Sequence, residues 1–405
     1  MDEAAFQKRV SDVAAHLRAG IEELLLAACG PAPRPMDLVR SLEIDKSLAG
    51  KLLRAVRAKD PFETLQVAPA PPGLRKLLAA ARAKHVQPQT CEAFSHAIRH
   101  YDEMLDGIPN GRLGLEALLS SRLPEAAARG AHNAKQSVFR SMSFLLGYEA
   151  DAAVNSLIVH PSQSGDRCDV VHLGGKFGLR RLRGREPLIV FGFSWDPLSQ
   201  GADAHRIETL DGQAWAESAG AYVLAEFSSA PLAPLRILRN ARMMMFALEP
   251  RFESVIEECS IVFAQVSRND WARYRSEQRR FEWQNLIPRI PCRVLLADVI
   301  MHEDICPREG ERIIVRAHGI APVGQLADRD IDALDPNDLG LDRGVFPCQE
   351  HALRTGEIPR YPAIVARAFE RMQWDATRFR VHRLRVKYPV PMLAITRLFE
   401  LPEPR

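Results

Sequence analysis

At 405 residues the chain is too long for one ordinary hydrophobic core, so two or three domains are expected. Apolar residues at 46% and charged residues at 26% match a globular protein, and a net charge of +3 allows nucleic-acid binding only through a local basic patch. No basic-then-apolar leader and no apolar run long enough for a bilayer are present, so no membrane partner is expected. The seven cysteines (Cys29, Cys91, Cys168, Cys259, Cys292, Cys306 and Cys348) are scattered and form no CxxC. That pattern argues against a disulfide framework or zinc ribbon and fits reduced thiols in the cytoplasm.

Residues 4–28 carry Phe6, Val10, Val13, Leu17, Ile21 and Leu24 at spacings of three and four, the pattern of an amphipathic helix. Such a helix could support a DNA-binding domain or form half of a dimer seam. Gly30 to Pro33 breaks it. Pro35 suits the first position of the next helix, where a missing N–H costs nothing. Leu38, Val39 and Leu42 form its apolar edge. After Glu43 and Ile44, Asp45 is placed to cap a second helix from Lys46. Projected at about 100° per residue, Leu48, Ala49, Leu52, Leu53, Ala55 and Val56 fall on one side. Lys46, Ser47, Gly50, Lys51, Arg54, Arg57 and Ala58 fall on the other, within roughly 140°. That face has no carboxylate, and Gly50 leaves no side chain to hold another surface away. Asp60-Pro61 ends the helix.

Residues 35–60 resemble a helix-turn-helix, the two-helix module that sets its second helix in the DNA major groove. Leu38-Val39 stands for the leucine and small residue of the first helix, and Ile44-Asp45-Lys46-Ser47 for the opening of the second. Val39 is larger than usual, and Glu43 stands where the turn often has Gly, so Glu43 must be left-handed or the turn must differ. The resemblance implies that Lys46, Ser47, Lys51 and Arg54 face base edges and that Arg40 and Arg57 meet phosphates.

Nothing between Asp60 and Gly73 alternates like a β-wing, and 67–73 reads as a stiff proline-rich connector. Helices are expected at 74–85, 90–105 and 113–146, with a break near Pro124, as a helical connector or dimerisation region. After Tyr148 the texture turns to short runs rich in Val, Ile, Leu and Phe. Strands are expected at 155–160, 168–173, 188–193, 222–227, 261–266, 293–301 and 312–317. A helix at 363–373 and strands at 378–388 and 392–401 follow. Phe379, Val381, Leu384, Val386 and Tyr388 alternate with one slip at His382-Arg383, which suggests a β-bulge.

Several clusters carry possible chemistry. Gly192-Phe193-Ser194 closes an apolar strand and looks like part of the nucleophile elbow of α/β-hydrolases, but Asp196-Pro197 replaces the second glycine. Asp298, His302, Glu303 and Asp304 sit at another strand end, where an acid and base or a divalent ion could be housed, ahead of Pro307 and Gly310. His96 and His100 have metal-pair spacing without the HExxH glutamate. Asp328, Asp330 and Asp332 begin like a calcium loop, yet Ala333 and Leu339 occupy the Gly and Glu positions. Gly174-Gly175-Lys176-Phe177-Gly178 lacks P-loop spacing and reads as a hairpin turn. Arg180, Arg181, Arg183 and Arg185, with Arg279, Arg280 and the basic face of 378–388, could form an anion-binding surface or simply a solvent side.

The expected fold is α+β: a helix-turn-helix-like domain at 1–66, a helical connector at 67–147, and a β-rich mixed domain at 148–405 with a sub-boundary near 320–345. The expected function is a DNA-binding transcriptional regulator, a homodimer on double-stranded DNA. Its β-rich domain senses a small-molecule effector or mediates assembly, and no cofactor or metal is required. The alternatives are a hydrolase-type or metal-dependent enzyme around Ser194 or Asp298, His302 and Glu303, and a non-catalytic assembly protein.

Overall fold

The computed structural model describes residues 3–120, 124–183, 186–194, 205–214, 218–239, 243–250, 257–277, 279–305, 311–317, 333–334 and 339–404. Two compact units, Met1–Gly130 and Ala131–Arg405, divide the chain. The first is helical and the second is β-rich with mixed sheets, the α+β class expected. Among the described residues no helix is long and apolar enough to cross a membrane.

In the first unit, α1 (Glu3–Cys29) buries Val10, Leu17, Ile21 and Leu24 completely. Gly20 lies where it meets α6 (Pro88–Asp106): a Cβ there would stand 2.9 Å from the Phe94 ring, so the missing side chain lets the two helices close up. Around this pair pack α2 (Pro35–Leu42), α3 (Lys46–Arg57), α4 (Pro61–Val67), α5 (Pro71–Ala83) and α7 (Arg112–Ser120). Leu38, Leu52, Leu65, Leu77, Phe94 and Leu115 belong to one core. Three helices of the expected connector, α5, α6 and α7, therefore share that core with the helix pair, because each buries its apolar stripe against α1 or its neighbours. Nor is 67–73 a stiff linker. Pro71 and Pro72 occupy the opening turn of α5, where no N–H is needed. The guanidinium of Arg112 donates to the carbonyls of Leu65 (2.8 Å) and Gln66, satisfying groups the end of α4 leaves open.

The second unit begins within α8 (Pro124–Leu146). Its main sheet has the order β12-β13-β9-β1-β2-β7-β4, with β1 (Tyr148–Pro161), β2 (Arg167–Arg181), β4 (Arg206–Thr209), β7 (Glu257–Ala272), β9 (Cys292–His302), β12 (Leu341–Pro347) and β13 (Phe379–Lys387). Only the β1/β9 pairing in it is parallel. Smaller sheets are β11-β10-β14-β8, from β8 (Phe281–Leu286), β10 (Arg312–Arg316), β11 (Ala333–Leu334) and β14 (Ala394–Glu400), and β3-β6-β5, from β3 (Leu188–Ser194), β5 (Leu235–Arg239) and β6 (Met243–Leu248). Side chains alternate across the main sheet. Val154, Ile158, Leu296 and Ile300 meet Tyr361, Ile364, Val365 and Phe369 of α10 (Tyr361–Met372), which follows the short α9 (Glu350–Leu353). Ala153, Leu295 and Ala297 on the opposite face meet Phe246, Val315 and Ile395, while Leu157, Val159 and Val299 meet Trp271 and Phe399.

This two-sided cover explains where sequence periodicity misleads. The pairing of β13 with β9 runs from Phe379 opposite His302 to Lys387 opposite Val294 without a register shift, so there is no bulge at His382. Phe379 and Val381 join the core under α10, whereas Leu384 and Val386 join the core on the other face. The buried side changes along a regular strand. Gly174 to Gly178 is not a hairpin turn but part of β2: Gly174 pairs with Asn155, and a Cβ there would fall 2.2 Å from the Phe191 ring. Gly178, at φ +57°, lies within the irregularity of the β2/β7 ladder. Residues 222–227 are not a strand; they fall across two 3-10 turns, Ala219–Tyr222 and Ala225–Phe227. The sub-boundary near 320–345 lies mostly outside the described residues, and β12 at its end belongs to the main sheet.

One charged group pins the second layer to the main sheet. Arg397 on β14 is fully buried; it donates to the carbonyls of Ala297 and His382 (both 2.8 Å) and to Gln284 Oε1 (3.0 Å), and pairs with Glu311. Arg397→Met should therefore cost about 3–5 kcal/mol by leaving these acceptors without donors. The loss is measured as a shift in the urea unfolding midpoint, and Arg397→Lys should recover only part of it.

Candidate nucleic-acid interface and ligand cavity

The helix pair forms with the ends its sequence implies. Asp37 in the first turn of α2 accepts the Arg34 N–H at 2.8 Å. Glu43 ends the helix at φ +54° and ψ +36°, the left-handed conformation that an ordinary residue adopts only at a cost. Its carboxylate is turned to Lys84 Nζ, 2.8 Å away, and this partner holds the acid below its usual range. The carboxylate of the turn is thus answered within the unit. Asp45 then caps α3, its Oδ1 accepting the Leu48 N–H at 2.8 Å.

On α3, Leu48, Ala49, Leu52, Leu53 and Ala55 are buried, and Lys46, Ser47, Lys51, Arg54 and Arg57 are exposed. Arg40 on α2 is exposed as well. Nothing lies within 4 Å of the place a Cβ would take at Gly50. Among the described residues none of these cations has a carboxylate partner, and Arg54 Nε reaches the Gly50 carbonyl at 3.3 Å. All six residues implied by the resemblance are thus accessible on the helix pair.

The other clusters separate. Asp298 is fully buried on β9, its two oxygens held by Arg383 at 2.8 and 3.0 Å, with Tyr361 and Ser156 beside it. His302 is four residues on, about 13 Å along the strand, against His160 and Phe379. Glu303 and Asp304 pair with Arg378. Ser194 ends β3 opposite Met243 in an antiparallel sheet, and Trp195, Asp196 and Pro197 lie outside the described residues, as do Pro307, Gly310 and Asp328 to Asp332. Among the described residues no group of three His, Cys, Asp or Glu is arranged to hold a metal; His96 and His100 are exposed, with ring centroids 6.3 Å apart. Among the described residues the arginines after Gly178 are already engaged, Arg181 with the Glu186 and Leu248 carbonyls. Arg180 is spent on Glu149, Asp151 and Glu258, Arg183 on the Phe144 and Leu145 carbonyls, Arg279 on Glu282 and Arg280 on Glu400, while Arg185 lies outside the described residues.

A site that sequence reasoning passed over lies in the β-rich unit. A cavity of about 490 Å³ has β1 and β2 as its floor, with β3, β6 and β8 around it. Ligand pockets fall in this size range. His172, Gly174 and Lys176 recur at every second position of β2 and so share a face, opposite Leu157, Asn155 and Ala153. Phe191, Phe193, Met243, Met245 and Trp283 supply an apolar wall. His172 Nε2 and Asp270 Oδ2 are 3.3 Å apart. Burial works to raise the Asp270 pKa, but His172, with His205 and Arg279, holds it below the ordinary carboxylate value. Glu282 accepts the Ala272 N–H at 2.6 Å and pairs with Arg279 at 2.9 Å. The signal available in sequence was the alternation of His172, Gly174 and Lys176, which a turn reading concealed.

No protein-family model and no curated protein matches the chain. Among solved structures, the chain is weakly similar to one described as a "putative protease" from Parabacteroides distasonis ATCC 8503. It is 8% identical with a TM-score of 0.27, over 62% of this chain, and this chain spans 40% of that protein. A similarity of that size carries no argument about function.

Burial pushes the Glu282 carboxyl from 4.5 up to about 7, against the pull of Arg279 and the Ala272 N–H. An acid whose pKa rises on folding is protonated in the folded state across that window. Its contribution to stability is therefore full below about 4.5 and lost as pH rises through about 7. Glu282→Gln keeps an acceptor for Ala272 and removes the titration. The stability of wild type relative to this variant should fall by up to about 3 kcal/mol between pH 4.5 and pH 8, read from urea melts at matched salt.

Proposed function

We propose that the chain is a DNA-binding transcriptional regulator of the cytoplasm. It acts as a homodimer on double-stranded DNA, with α3 as the recognition helix and the β-rich unit sensing a small molecule. The observation that carries this reading is the open, carboxylate-free cationic face of α3, which begins at a capped helix end and has a glycine at its centre. A duplex needs such a face: guanidinium and ammonium groups reach base edges and phosphates, and a missing side chain permits close approach. Lys46, Ser47, Lys51 and Arg54 take the base edges, and Arg40 and Arg57 the phosphates. One module of this kind binds weakly, so two α3 helices about 34 Å apart across a dimer are the working form.

The test is selection of binding sites from random duplexes by the full chain, followed by gel-shift titration at fixed salt and light scattering. A two-fold symmetric site should be enriched. Lys51→Ala with Arg54→Ala should weaken binding to it by about 1–3 kcal/mol per lost base contact while leaving the melting temperature unchanged. Arg57→Ala should weaken binding to every sequence alike and flatten the log–log salt slope by about 2 for a dimer. Absence of any enriched sequence, or unchanged affinity in the double variant, removes the reading.

A further inference from the structure

The charges lining the cavity in the β-rich unit are unevenly answered. His172 faces Asp270, and Arg279 faces Glu282. Among the described residues Lys176 has no carboxylate partner, and its ammonium reaches the carbonyl of the preceding residue, Gly175, at 3.4 Å. Burial pushes its pKa down, and the group acting the other way is Cys292. That thiol is buried and pushed up to about 12, so it stays neutral and supplies no negative charge. Arg289, exposed and also lining the cavity, adds a second cation with no acid partner among the described residues.

Lys176 is half-buried, and an ammonium partly withdrawn from water with no opposite charge beside it is costly to a fold. Its position beside Ala153, in a cavity large enough for a small molecule, gives that cost a use: the missing acceptor can arrive with a ligand. The wall then says what else the ligand carries. Phe191, Phe193 and Trp283 line the cavity with aromatic rings, Phe191 stacked on Phe263 and Trp283 under the Arg279 guanidinium, and Met243 and Met245 add adaptable thioethers. The space beyond the ammonium therefore suits an apolar body, and a planar one packs best against rings. Asp270 and Glu282 are already occupied and leave no strong call for a cationic group.

We propose that this cavity binds a small organic anion, a carboxylate on a flat apolar body, with Lys176 as its charge partner. The inference rests on the β-rich unit being the ligand-sensing part, but not on DNA binding, and its test uses no DNA, so the two readings fail separately. The probes are 2-naphthoate and its neutral counterpart 2-naphthamide, each titrated calorimetrically into the full chain at pH 7. Naphthoate should bind at least about ten-fold more tightly, the value of one charge-assisted hydrogen bond. Lys176→Met should erase that preference with a melting temperature equal to or above that of wild type, and Trp283→Ala should weaken both probes. Independently of any variant, acetic anhydride labelling mapped by mass spectrometry should show Lys176 protected by naphthoate and not by naphthamide. Equal affinity for the two probes, no binding of either at millimolar concentration, or a preference that survives Lys176→Met would overturn the proposal.

Discussion

The β-rich unit depends on the need of a seven-stranded sheet to bury both faces at once. A single helix, α10, meets that need on one side. The other side is covered by two small sheets, and a sheet laid on a sheet has no chain connection at the point of contact to fix its placement. Arg397 supplies the fix. Its guanidinium spends donors on β9, on β13 and on Gln284 of β8, with Glu311 balancing the charge. Gln284 in turn donates to the Asn155 carbonyl on β1 at 2.8 Å, so the same network reaches the floor of the cavity. Because directional bonds hold the layers, apolar packing need not fill all the space between them. The cavity lies in part of what remains.

The helical unit is organised by a different constraint. A two-helix turn built without glycine needs some residue to accept a left-handed backbone, and here Glu43 does so. The carboxylate that comes with it is answered by Lys84. The turn therefore keeps its geometry without leaving an acid free beside the cationic face of α3. That face is shaped by what its opposite side must do: five buried apolar positions press into the core shared with α1 and α6, and the cations are what is left outside.

Local patterns were legible where one rule acted alone. Pro35, Asp45 and the apolar spacing of 46–57 fix a helix pair, and the helices and most long strands follow their periodicity. Patterns failed where two rules met. Strand β13 looks bulged because its burial changes side, and Gly174 to Gly178 looks like a turn because its glycines serve the close seat of Phe191 and a ladder irregularity. Strands β4, β8 and β12 are short or half-polar and pair with strands far away in the chain, and β6 pairs with distant β3 as well as with adjacent β5.

What the sequence determined by itself is a helical beginning with one basic helix face and a β-rich remainder, since helix caps and side-chain spacing act over a few residues. Tertiary structure decided the rest. It placed α5, α6 and α7 in the same core as the helix pair, and it drew Asp298 into a buried pair with Arg383. It also set Lys176 at the floor of a cavity with no acid beside it among the described residues. Those outcomes turn on which residues distant in sequence come within a few ångströms, and burial and charge pairing have no local pattern from which to be read.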